Sequence, residues 1–74
     1  MANALEERFA DVLLQRIMSD THPSRTHMEI LESIAPPRQR LMYILSLMQR
    51  IETESQPSIP MMQRVQRLIM DFEA

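Results

Sequence analysis

Apolar residues recur along this chain at steps of three and four, the spacing of one face of a helix, with no run of strict alternation that would mark a strand. Five prolines divide the pattern into four segments. The first carries Leu5, Phe9, Val12, Leu13 and Ile17 as an apolar stripe, and Asn3 followed by Glu6 has the spacing of a capping box at its start. This predicts a helix over about 4–19. Asp20, Thr21, His22 and Pro23 then turn the chain, because a residue before proline is pushed out of the helical region. A shorter helix over about 24–34 presents Met28, Leu31 and Ile34. It begins either near Pro23 or at Thr26, which pairs with Glu29 as a capping box.

Pro36 and Pro37 stop the second helix and pre-set the first turn of a third, where a missing amide hydrogen costs nothing. That third helix, about 37–54, has the strongest pattern. Leu41, Ile44, Met48, Ile51 and Ser55 form the stripe, with Leu45 and Leu47 flanking it, so more than half the circumference is apolar. Such a helix in a short chain needs cover on several sides, from its neighbours and from a second copy. Gln56 and Pro57 end it, and Ser58 is the expected N-cap of a fourth helix over about 59–72. There Met62, Val65, Ile69 and Phe72 form the stripe, with Met61 and Leu68 alongside.

The expected fold is therefore all-α, a small four-helix domain occupying residues 1–74. At 74 residues it has a thin stability margin that dimerisation or docking would widen. Composition agrees: 45% hydrophobic and 24% charged residues give an ordinary globular mix. Cysteine and glycine are both absent, which excludes disulfides, thiolate metal sites, P-loops, dinucleotide fingerprints and nucleophile elbows. The net charge of −2 is uneven, since residues 1–35 carry three arginines against six acids and residues 36–74 five against four. No apolar run approaches the roughly 20 residues that span a bilayer, so the chain is expected to be soluble and cytoplasmic.

Candidate chemistry is sparse. Asp20, His22, His27 and Glu29 fall within ten residues, but histidines five apart do not share a helical face as a zinc-protease pair does, and Pro23 separates them. Four of the six serines sit at helix ends, where a hydroxyl caps or turns the backbone. Neither a nucleophile nor a carboxylate pair of divergent acidity emerges. The expectation is no enzyme activity, no metal and no cofactor.

Eight methionines are the compositional outlier, and methionine is used both to fill cores and on adaptable surfaces that grip a partner's helix. Adjacent Met61 and Met62 cannot both face one core, and with Met70 they point to an apolar strip of helix four left over for an interface. The expected partner or dimer interface is Leu41, Ile44, Leu45, Met48, Ile51, Met61, Met62, Val65 and Ile69. Arg38, Arg40, Gln63, Arg64 and Arg67 form its rim or, on the second reading, contact nucleic acid, because arginine and glutamine suit guanine and adenine edges. Against DNA stand the net acidity and a turn without glycine.

The run Ile44-Leu45-Ser46-Leu47, then Ile51-Glu52-Thr53, Ser55 and Arg64, resembles the corresponding stretch of the Ymg/AriR family of small enterobacterial regulators, two-component-system connector proteins of biofilm and acid resistance. The resemblance covers residues 41 to 70 or so, and the chain departs from the family at Pro36-Pro37, Pro57 and Pro60. It implies a small all-helical dimer that binds a regulator protein, with DNA binding as a secondary property. Residues and resemblance together give the functional expectation: a non-enzymatic regulatory adaptor, homodimeric, binding a protein in a transcriptional or signalling circuit. A small DNA-binding regulator is the alternative, and a structural subunit of a larger assembly the third reading.

Overall fold

A computed structural model describes residues 4–73, and all its regular structure is helical: α1 (Ala4–Ser19), α2 (Arg25–Ile34), α3 (Pro37–Thr53) and α4 (Ile59–Glu73). The four elements and their order follow the periodicity, with boundaries within one residue of those expected. The Asn3 cap of α1 lies outside the described residues.

Two serines open helices in the same way. Ser24 is the N-cap of α2, extended at φ −66° and ψ 131°, and its Oγ accepts the backbone N–H of His27 at 3.3 Å. Ser58 stands at the same place before α4, its Oγ accepting the N–H of Met61 at 3.3 Å and its carbonyl that of Met62 at 3.0 Å. Each serine follows a proline, Pro23 or Pro57, and each hydroxyl satisfies one of the donors that a helix start leaves orphaned. Of the two expected starts of α2, the one near Pro23 is correct. Thr26 lies inside the helix, because Ser24 has already capped it. Pro36 and Pro37 act as expected: Ala35 is extended (φ −67°, ψ 127°), and the Pro36 carbonyl accepts the Arg40 N–H at 2.9 Å, which places Pro37 at the first helical position.

The chain divides into two compact units, Met1–Arg40 and Leu41–Ala74, and the division falls in the first turn of α3. In the first unit α1 packs on α2, burying Ala10, Leu13, Leu14 and Ile17 from one and Met28 and Leu31 from the other. The expected stripe of α1 is thus corrected. Leu13 and Ile17 are inside, but Leu5, Phe9 and Val12 are exposed, Leu5 at 82%. The inner face is rotated toward Ala10 and Leu14, since a small alanine lets the neighbouring helix approach where Phe9 would hold it away.

Side chains from the first turn of α3 fasten this unit. Gln39, only 8% exposed, donates its Nε2 to the Glu7 carbonyl at 3.1 Å and to the Asp11 carboxylate. Arg40 donates Nη2 to the Glu32 carbonyl at 2.9 Å, satisfying one of the last acceptors of α2 and placing a cation at that helix's negative end. Surface ion pairs Arg16–Asp20 (3.6 Å) and Arg25–Glu29 (3.3 Å) add little, about 0.3–0.5 kcal/mol each.

In the second unit Tyr43, Ile44 and Leu47 of α3 and Val65 and Leu68 of α4 are buried. Full burial of a side chain such as Leu47 contributes about 1.5–3 kcal/mol. Here too the stripe is corrected. Of the expected α3 stripe Ile44 is buried, as is flanking Leu47, Ile51 is half-buried, and Leu41 and Met48 are exposed, as is Ser55 beyond the helix end. On α4, Met62 and Phe72 are more exposed than Val65 and Leu68, and Ile69 is half-buried.

Two stability measurements check these connections. Ser58→Ala removes the α4 cap and lowers the unfolding free energy by about 1 kcal/mol in a urea titration followed by circular dichroism, while Ser58→Asp retains it. Gln39→Ala deletes a buried side chain and its bond to the Glu7 carbonyl together, and lowers stability by about 2 kcal/mol in the same titration.

Candidate interaction surface

The helices leave a number of large apolar side chains uncovered. On α3 the exposed face carries Leu41 (44% exposed), Met42 (50%), Leu45 (54%) and Met48 (43%). Leu41, Leu45 and Met48 follow steps of four and three, so they stand in one row along the helix. Exposed Arg38 and Glu52 extend that row at its two ends, one step of three before Leu41 and one of four after Met48. Tyr43 and Leu47 occupy the opposite, buried side, so α3 is apolar on two faces at once.

A second row runs along α4. Ile59, Met62 and Met70 are exposed on one side, interrupted by Gln66, with exposed Gln63 and Arg67 beside them. Met61, half-buried, points away from Met62, as their adjacency requires. On α1 the exposed Leu5, Phe9 and Val12 make a third, shorter row, and Val12 and Met18 border a shallow open depression with Gln15, Arg16 and Ser19. Scattered exposed apolar residues are ordinary on any protein, whereas residues aligned in rows along a helix form candidate surfaces for an interaction.

The structure sorts the expected interface residues by depth. Leu41, Leu45, Met48 and Met62 are on the surface, Ile51, Met61 and Ile69 are half-buried, and Ile44 and Val65 are buried. Met42 and Ile59, absent from the expected set, belong to the exposed rows, and so does Met70, which was expected with Met61 and Met62 as an apolar strip of helix four. The signal for them was in the sequence, as apolar residues left over once one stripe had been chosen.

The rim set divides as well. Arg38, Gln63 and Arg67 are exposed. Arg64 is half-buried and lies well round α4 from Gln66, and Arg40 is committed to the Glu32 carbonyl. In the Asp20–Glu29 segment, Asp20 and Glu29 pair with Arg16 and Arg25, and among the described residues no three metal-ligating side chains are grouped. Among the described residues no helix is long and apolar enough to cross a membrane. No family model, curated protein or solved structure matches the chain.

Proposed function

We propose that this chain is a regulatory adaptor without catalytic activity, acting in the cytoplasm by binding a protein partner of a transcriptional or signalling circuit, and self-associating as a dimer. The observation that carries this reading is the exposed apolar side chains of α3 and α4, with Leu45, Met48, Met62 and Met70 foremost among them. Methionine suits such a role because its unbranched, polarisable side chain adapts to the shape it meets. The resemblance of residues 41 to 70 to the Ymg/AriR connectors supports the same reading. The α4 row is the partner-binding surface: Ile59, Met62 and Met70 supply apolar contact and Arg67 a rim cation for an acidic group opposite.

The DNA-binding alternative draws on Gln63, Gln66 and Arg67, all exposed on α4. It has less support, because Arg40 is engaged within its own unit and the chain is net acidic. A photo-cross-linking residue in place of Met70, used in the native host, tests the leading reading. One recurrent heterologous protein adduct is expected, lost when Met62→Asp is added; adducts only to the chain itself would contradict the adaptor reading. A duplex retained at low ionic strength and released steeply by salt would favour the alternative.

A further inference from the structure

The α3 row is its own complement. Arg38, Leu41, Leu45, Met48 and Glu52 are spaced three, four, three and four, so base, apolar centre and acid lie in one line over about 21 Å of helix. All five side chains are exposed, and neither Arg38 nor Glu52 enters an ion pair among the described residues. A face that carries a positive group at one end and a negative group at the other matches a second copy of itself turned end for end.

We propose that α3 pairs with α3 of a second copy in antiparallel orientation, across a two-fold axis near Leu45, with Arg38 of each copy meeting Glu52 of the other. The proposal rests on the reading of the exposed apolar surface as an association surface, and gives that surface an occupant and a direction. A two-fold interface is isologous, so every contact away from the axis occurs twice and the surface must match itself under the rotation. With Leu45 set against Leu45, Leu41 comes within one residue's rise of Met48 of the second copy, and Arg38 opposite Glu52.

Parallel pairing fails the same examination. It sets Arg38 against Arg38 and Glu52 against Glu52, like charges at both ends, which disfavours that partner without adding any apolar contact. Exposed ion pairs contribute little affinity, so the charges select the direction while Leu41, Met42, Leu45 and Met48 supply the attraction. The α4 row has no such symmetry: Glu73 lies at its C-terminal end, but the N-terminal end is Ile59, and Arg67 stands between. It therefore remains for the partner.

Sedimentation of the full chain tests the pairing. At a few hundred micromolar, a species of twice the 8.7 kDa chain mass is expected. Leu45→Glu should weaken self-association at least about tenfold with unchanged helicity, since Leu45 is outside the core. Arg38→Glu and Glu52→Arg should each weaken it severalfold at low ionic strength, and the double exchange should restore it. Because the chain has no cysteine, orientation is read directly: a mixture of Arg38→Cys and Glu52→Cys chains should form the mixed disulfide in preference to either self-linked product. A chain monomeric throughout, a double exchange no tighter than the single ones, or preferential self-linking through position 38 would each overturn the pairing. A monomer that still yields the Met70 adduct would separate this failure from that of the adaptor reading.

Discussion

A helix that is apolar on two sides has to be covered on two sides, and among the described residues of this chain only one side of α3 is. That constraint shapes the second half of this protein. Tyr43, Ile44 and Leu47 of α3 are buried in the chain, while Leu41, Met42, Leu45 and Met48 are exposed, the row of Leu41, Leu45 and Met48 lying about half a turn from Tyr43. Small domains have a high ratio of surface to volume, so their core can absorb only one face of each helix. Exposed side chains of this size are costly to leave in water, at about 25 cal/mol for each Å² of apolar area, and association recovers part of that. The proposed self-pairing of α3 and the proposed partner surface on α4 are two consequences of the same shortage.

The first half handles its surfaces differently. There α1 and α2 cover one another's inner faces, and α3 contributes polar fasteners in place of apolar bulk: Gln39 to the Glu7 carbonyl, Arg40 to the Glu32 carbonyl. Directional bonds of this kind add modest stability, but they fix one arrangement over its near neighbours. With no glycine available to end helices at positive φ, prolines break them and serines open the next. Pro36 and Pro37 divide α2 from α3, and the Pro-Ser pairs at 23–24 and 57–58 open α2 and α4.

Proline and serine have strong local rules, which is why the helices could be read from the sequence almost to the residue. Pro37 at a first helical position and Ser58 as a cap require no knowledge of what lies nearby. The facing of each helix was less legible, and α1 shows why. Leu5, Phe9 and Val12 form as good a stripe as Ala10, Leu13, Leu14 and Ile17, and only the neighbour decides which is buried. On α3, Tyr43 is fully buried although its hydroxyl made it an unobvious core residue, and Leu41 is outside although it began the expected stripe. Gln39 and Arg40 were invisible as fasteners, because their partners are backbone carbonyls distant in sequence, and a carbonyl leaves no mark in a residue pattern.

The methionines themselves can report whether the exposed face of α3 is covered in solution. Oxidative footprinting at low and high protein concentration, read by mass spectrometry at each methionine, compares Met42 and Met48 with Met70, which is 66% exposed on α4. Oxidation of Met42 and Met48 is predicted to slow as concentration rises, while that of Met70 in the isolated protein stays constant. If Met42 and Met48 oxidise at a rate independent of concentration up to the millimolar range, α3 is not an association surface between copies of this chain.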